Sequence, residues 1–177
     1  IEFKDVLGIT QDPKIFKELI LKMSSSQIIK NAEAIISIDA RGFIFGSAIS
    51  LQASKPMIVA RKPGKLPGEL LKKKYSLEYG VNSLCIQKSS LQKYDSFAIV
   101  DDLLATGGTV NCVSKLLESK DKEITGLLVV IELTQVEGAP HICPFCTVAH
   151  ISLIGYVSSI YFLRIRRNMG KWSENEG

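Results

Sequence analysis

Short apolar segments rich in β-branched residues alternate with helical patterns along this chain of 177 residues. Apolar runs of this kind, each followed by a turn and a helix, are typical of buried parallel strands. We therefore predict an α/β fold with a mostly parallel sheet flanked by helices. The predicted strands span 34–38, 57–60, 96–100 and 126–133, and the predicted helices span 13–24, 43–53 and 110–119.

Three loops follow predicted strands and should meet at one edge of the sheet. Ligands of open α/β sheets bind beyond the carboxyl ends of the strands. The loops begin after Ile38, Ala60 and Val100, and each carries unusual chemistry. We therefore expect one site, assembled from all three.

The loop after Val100 carries the strongest chemical signal, two adjacent carboxylates and a Thr-Gly-Gly-Thr turn that opens a helix. Gly107 and Gly108 allow the backbone to approach a phosphate, and the amides of the following helix point their donors at it. Asp101 and Asp102 are repelled by phosphate, so they should face sugar hydroxyls or a hydrated divalent cation. This pairing fits a ribose phosphate.

The segment Ile99-Val100-Asp101-Asp102-Leu103-Leu104-Ala105-Thr106-Gly107-Gly108-Thr109 resembles the phosphoribosyl pyrophosphate signature of the type I phosphoribosyltransferases. That resemblance implies a twisted, mostly parallel sheet flanked by helices, with a small N-terminal hood. Three further segments look like the adenine phosphoribosyltransferases in particular: Asp39-Ala40-Arg41-Gly42-Phe43-Ile44-Phe45-Gly46, Arg61-Lys62-Pro63-Gly64-Lys65-Leu66-Pro67-Gly68 and Tyr75-Ser76-Leu77-Glu78-Tyr79-Gly80.

The resemblance also implies roles for individual residues. Glu78 would be the acid or base and, with Arg41, Asp101 and Asp102, would form the catalytic set. Phosphoribosyl pyrophosphate would meet the acidic pair, the glycine turn and basic side chains, and adenine would meet the hood. The implied substrate-binding residues are Phe3, Lys4, Ala40, Arg41, Lys62, Lys65, Tyr79, Asp101, Asp102, Ala105, Thr106, Gly107, Gly108 and Thr109.

The activity implied by the resemblance is purine salvage, in which adenine and phosphoribosyl pyrophosphate give AMP and pyrophosphate. Mg²⁺ would be the cofactor, bound through the substrate and by Asp101 and Asp102, and the enzyme would be a cytoplasmic homodimer. Two alternatives stay open. One is an enzyme for another base, and the other is a regulator that senses phosphoribosyl pyrophosphate without chemistry.

Charge and cysteine content narrow the remaining classes of function. The net charge of +4 is mild and the basic residues are dispersed, so nucleic acid is not needed to explain them. The four cysteines, without an N-terminal secretory pattern, are interpreted as reduced thiols of a cytoplasmic protein.

We predict one phosphoribosyltransferase domain over 1–156, with the hood in about 1–12, a mobile loop in about 61–80 and an atypical tail in 157–177. The family's Phe-Pro-rich segment before the residues that match 1–5 is missing here, so whether the N-terminus is truncated stays open.

The chain departs from the family pattern after Gly138. Cys-x-x-Cys with nearby histidines suggests zinc ligands, namely His141, Cys143, Cys146 and His150. The uncharged stretch 142–163 has the length of a membrane span, but we favour a final strand over 151–156. A genuine extension, a membrane anchor and a frame-shifted end remain alternatives for 139–177.

Overall fold

The structure is a computed structural model, and it describes residues 6–77, 80–132, 146–153 and 157–165. Side chains are described for residues 6–74 and 83–131. The strands are β1 Ala34–Ile38, β2 Met57–Ala60, β3 Leu70–Leu77, β4 Gly80–Gln87, β5 Ser96–Val100, β6 Leu103–Leu104, β7 Glu123–Leu128, β8 Ile131–Glu132, β9 Cys146–Leu153 and β10 Val157–Ile165.

Helices cover or connect these strands. A 3₁₀ helix precedes the first α-helix, which begins where Asp12 caps the amides of Lys14 and Ile15 and Pro13 supplies a helix-compatible first residue. The helices are the 3₁₀ helix Val6–Gln11, α1 Pro13–Ser24, α2 Gln27–Asn31, α3 Gly42–Ala53, α4 Lys88–Leu91 and α5 Gly108–Glu118.

The main sheet has the strand order β2-β1-β5-β7-β10-β9. Strands β2, β1, β5 and β7 are parallel neighbours, whereas β10 runs antiparallel to both β7 and β9. The predicted α/β architecture with a mostly parallel sheet is confirmed. Because β1, β2 and β5 are parallel, their carboxyl ends and the loops that follow them lie at one edge.

The sheet is buried on both faces because successive residues of a strand point to opposite sides. On β1, Ile35 packs in a cluster with α1, α2 and α3, whereas Ile36 packs in a second cluster with α5. Two-sided burial explains why these strands have continuous apolar sequences, without the polar alternation of a solvent-facing sheet.

Strands β3 and β4 form a two-stranded hairpin, and β3 lies within the segment 61–80 that was predicted as a mobile loop. Leu84 and Ile86 of β4 are buried in the second cluster, and β3 packs against α5. The hairpin thus adds a layer beside α5, close to the carboxyl edge of the main sheet. The predicted loop over 61–80 therefore contains a strand from Leu70 onward.

Two predicted strand bounds are wrong. The strand predicted over 126–133 begins at Glu123, because pairing with β5 starts where Glu123 lies opposite Ser96, and it ends at Leu128. Of the final strand predicted over 151–156, residues 151–153 lie in β9, which begins earlier, at Cys146, and residues 154–156 lie outside the described part of the chain. Since β10 pairs with β7, the main sheet extends into the segment predicted as the tail.

Candidate active site

Asp101 and Asp102 lie where β5 ends at the carboxyl edge of the sheet. The amide of Asp101 donates to the carbonyl of Leu128 at 3.0 Å, which continues the pairing with β7. The carbonyl of Asp102 accepts from the amides of Val130 and Ile131, at 3.1 and 3.0 Å. These backbone bonds hold the two carboxylates in a fixed turn between β5 and β6.

The two carboxylates have different surroundings. Asp102 is 4% exposed, whereas Asp101 is half-buried and its Oδ1 accepts from the Asp102 amide at 2.9 Å. Burial, with the neighbouring charge of Asp102, raises the pKa of Asp101 to about 8. A carboxyl whose pKa is raised by burial and by a neighbouring carboxylate is common at functional sites.

The glycine turn predicted to bind phosphate opens α5. Gly107 has a φ of 74°, the left-handed conformation that favours glycine, and it is the N-cap of the helix that begins at Gly108. None of the described side chains caps this helix end. Ala105, Thr106 and Thr109 are half-buried around the turn. The turn therefore presents a helix N-terminus to the carboxyl edge, as anion binding requires.

Arg41 reaches the acidic pair from the loop after β1. It is the N-cap residue of α3, and its Nε lies 2.5 Å from Oδ2 of Asp102. The next residue, Gly42, also lies close to the acidic pair. A Cβ on it would lie 3.0 Å from Oδ1 of Asp101. A side chain at position 42 would push the two loops apart. The loops after β1 and β5 therefore lie together, as predicted.

Arg61 and Asp39 join the site, although neither was among the predicted site residues. Arg61 directly follows β2, its Nε donates to Oδ2 of Asp39 at 3.1 Å, and its guanidinium lies 5.6 Å from the centre of the Phe43 ring. Its main chain pairs with Cys85 of the hairpin in both directions. The sequence could have indicated Arg61 by its position, because Arg61 directly follows β2 just as Asp101 directly follows β5.

Lys62 and Lys65 are exposed on the loop after β2. Within the part of the chain that the structure describes, neither forms an ion pair with the acidic residues of the site. Ala40 is exposed beside Arg41. Ala40 and Lys62 adjoin the site along the chain, next to Arg41 and Arg61.

The remaining predicted residues lie outside the described part of the chain. This holds for Phe3, Lys4, Glu78 and Tyr79, and for two of the proposed zinc ligands, His141 and Cys143. Only the backbone is described for the other two, Cys146 and His150, in β9.

The described residues offer neither a ready-made metal site nor a membrane span. No group of three or more histidine, cysteine, aspartate or glutamate side chains there is arranged to hold a metal ion. Nor is any described helix long and apolar enough to cross a membrane.

Comparison with known proteins identifies the family. A model of the phosphoribosyl transferase domain matches residues 8–148. An adenine phosphoribosyltransferase of Prochlorococcus marinus (strain MIT 9515) is 85% identical over 138 residues, which cover 78% of this chain and 81% of that protein. This chain belongs to the adenine phosphoribosyltransferase family.

Solved structures of the family share the fold. The adenine phosphoribosyltransferase of Thermoanaerobacter pseudethanolicus is 38% identical with a TM-score of 0.70, over 78% of this chain and 80% of that one. The enzyme from Saccharomyces cerevisiae, solved with adenine and an imino-altritol bisphosphate, is 32% identical with a TM-score of 0.66, over 74% and 77% of the two chains.

Proposed function

We propose that this chain transfers a phosphoribosyl group from phosphoribosyl pyrophosphate to adenine, forming AMP and pyrophosphate in purine salvage. One observation carries the proposal in the structure: Asp101, Asp102, the Gly107 turn and Arg41 lie together at the carboxyl edge of the sheet. Family membership supports adenine as the base, and the related yeast structure holds adenine.

The glycine turn binds the phosphate of the ribose. Amides at the start of α5 donate to its oxygens, and the hydroxyls of Thr106 and Thr109 add hydrogen bonds. The turn lies directly after the acidic pair in the chain, so a ribose phosphate held there brings its hydroxyls towards Asp101 and Asp102. The backbone at Ala105 contributes to the same pocket.

Cationic side chains bind the pyrophosphate. Arg41 offers a planar guanidinium that can make two charge-assisted bonds to phosphate oxygens, and Arg61 lies at the end of the neighbouring strand. The exposed Lys62 and Lys65 add positive charge from the same loop. As the bond to pyrophosphate breaks, negative charge builds on the leaving group, and these residues stabilise it.

The acidic pair fits Mg²⁺. Mg²⁺ prefers oxygen ligands and commonly uses one or two carboxylates together with substrate phosphates. Asp102 has a buried Oδ2 that accepts no hydrogen bond from any described residue, which suits an oxygen that meets a cation. Asp101 and Asp102 would hold the ion, which when bound neutralises charge on the pyrophosphate.

We propose the base site and the proton transfer from the family resemblance. Phe3 and Lys4 of the hood, Ala40 and the backbone of Arg41 would contact adenine. Glu78 would exchange the proton that leaves adenine as its N9 bonds to the ribose, while Tyr79 covers the site.

A cytoplasmic homodimer is the form we propose for the enzyme. Helix α3 exposes Ile44 and Leu51, which are 39% and 84% exposed and seven residues apart, so they share one face of the helix. An exposed apolar stripe of this kind suits a second copy of the chain. Cys85 and Cys112 are free thiols, which fits a reducing compartment.

The test is Mg²⁺-dependent conversion of radiolabelled adenine to AMP, with hypoxanthine, guanine and orotate assayed in parallel. We expect product from adenine alone, and an Asp101→Asn/Asp102→Asn variant should lose at least about a hundredfold in rate. Product from another base would reassign the substrate. Binding of phosphoribosyl pyrophosphate without any product would favour a sensor.

A further inference from the structure

Asp102 combines deep burial with an incomplete set of partners. Its side chain is 6% exposed, and its Oδ2 accepts no hydrogen bond of normal geometry from the described residues. A buried carboxylate is costly unless an opposite charge compensates it. The positively charged group that compensates the Asp102 carboxylate therefore decides what the site can bind.

The compensating charge is Arg41. Its Nε lies 2.5 Å from Oδ2 of Asp102, and Oδ2 has no hydrogen-bond partner among the described residues, so the contact is an ion pair without a regular hydrogen bond. The Arg41 side chain is 45% exposed. It can therefore leave Asp102 by rotating into solvent, without opening the core.

A divalent cation and Arg41 compete for the same oxygen. Two positive groups cannot both contact Oδ2 at short range in a buried setting, because their mutual repulsion is weakly screened there. A free cation must displace the guanidinium and leave it without an anion. When phosphoribosyl pyrophosphate enters, its pyrophosphate offers the guanidinium a new anionic partner.

We propose that Arg41 is an internal countercation that keeps free divalent cations from Asp102 until phosphoribosyl pyrophosphate draws it away. Binding of the cation and binding of the substrate are then positively coupled through this one side chain, and each strengthens the other by the same factor. The inference rests on the proposed function, because it takes the pyrophosphate as the second partner of Arg41.

The test measures binding of Mn²⁺, as a paramagnetic probe, to the purified full chain without substrate. We expect Arg41→Gln to bind Mn²⁺ about tenfold more tightly than the wild type, because Asp102 then lacks its countercharge. Phosphoribosyl pyrophosphate should strengthen Mn²⁺ binding in the wild type, and by a smaller factor in Arg41→Gln. Unchanged or weaker Mn²⁺ binding by Arg41→Gln would overturn the proposal.

Arg61→Gln is the matched control. It removes one positive charge from the same site, but its side chain contacts Asp39 and does not contact Asp102. If Arg61→Gln gained as much Mn²⁺ affinity as Arg41→Gln, the gain would come from the general loss of positive charge, and the proposal would be overturned. Adding Asp102→Asn to Arg41→Gln should abolish the gain, and a gain that persists would contradict Asp102 as the ligand.

Failure of the inference and failure of the proposed function are distinguishable. Mn²⁺ affinity is measured without turnover, so it reports the Arg41–Asp102 contact even if no AMP forms. Should Arg41→Gln fold poorly, Arg41→Lys keeps the charge on a flexible stem that lacks the planar fork. We expect it to bind Mn²⁺ more tightly than the wild type and less tightly than a folded Gln variant, and wild-type affinity would count against the proposal.

Discussion

At the residue scale, the acidic pair is the part of the molecule whose chemistry depends most on its surroundings. Adjacent aspartates in a flexible chain would both ionise at neutral pH. Here burial, with the nearby charge of Asp102, raises the pKa of Asp101 to about 8. The ligand-free site therefore keeps a proton that a bound cation would displace.

This raised pKa predicts how stability depends on pH. The protonated Asp101 stabilises the folded state below its unfolded pKa of about 4, and that contribution is lost as the pH rises through about 8. We expect the free energy of unfolding of the metal-free protein to fall over this range. In Asp101→Asn, which cannot ionise, the fall should be smaller by an amount on the order of a few kcal/mol.

Urea unfolding at a series of pH values measures this difference. Asp121→Asn is the control, because Asp121 is exposed and forms no ion pair among the described residues, so this change should leave the pH profile close to that of the wild type. Parallel profiles for the wild type and Asp101→Asn would show that Asp101 does not carry the proton.

The roles proposed for Asp101, Asp102 and the glycine turn come from local sequence, since all lie within nine consecutive residues. The contact between Arg41 and Asp102 does not, because 61 positions separate them along the chain. Only the pairing of β1 with β5 brings their loops together. Sequence patterns thus indicated which residues matter, but not which of them compensate one another.

At the element scale, the packing of α3 on β1 places Arg41 at the site. The approach is close at Gly46, where a Cβ would lie 2.3 Å from Oγ and 2.6 Å from Cβ of Ser37. Ser37 is fully buried, so it cannot move aside into solvent. Glycine at position 46 therefore sets the distance between helix and strand.

Replacing Gly46 by Ala should force α3 away from β1. We expect a loss of about 1 to 3 kcal/mol in the free energy of unfolding, measured by urea titration, as is usual for overpacked cores. The rate of AMP formation should also fall, because α3 carries Arg41 at its N-terminus.

Gly8→Ala serves as the control, since a Cβ there meets no atom within 4 Å. A second change, Ser37→Gly, removes the atoms that collide and should restore part of the stability. Equal stabilities for Gly46→Ala and Gly8→Ala would contradict the close packing.

Element prediction succeeded where burial gives a clear pattern. The continuous apolar runs of β1, β2 and β5 were predicted at their observed bounds. The hairpin of β3 and β4 was missed, because Lys72, Lys73 and Lys74 interrupt any alternation on β3. That strand forms through its pairing with β4 and its packing on α5, which are tertiary effects.

At the scale of the whole molecule, the exposed stripe of Ile44 and Leu51 predicts association. Leu51→Glu should weaken the proposed homodimer by at least about tenfold in dissociation constant, because the charge loses water at an apolar contact. Light scattering coupled to size-exclusion chromatography over a dilution series measures this.

Gln52→Glu is the matched control, since it adds the same charge to the adjacent exposed position of α3. It lies about 100° around the helix from Leu51, so it should weaken association less. A dimer that is equally stable in the wild type and Leu51→Glu would exclude this face as the interface.

The sequence by itself determined the α/β class, the central strands, the glycine turn that opens α5 and the family, because each depends on residues that are close along the chain. Tertiary structure alone decided the countercharge of Asp102, the raised pKa of Asp101, the place of Arg61 and the existence of the hairpin. The physical reason is common to all four. Burial, charge pairing and strand pairing depend on distances in space, and chain folding sets those distances between residues far apart in sequence.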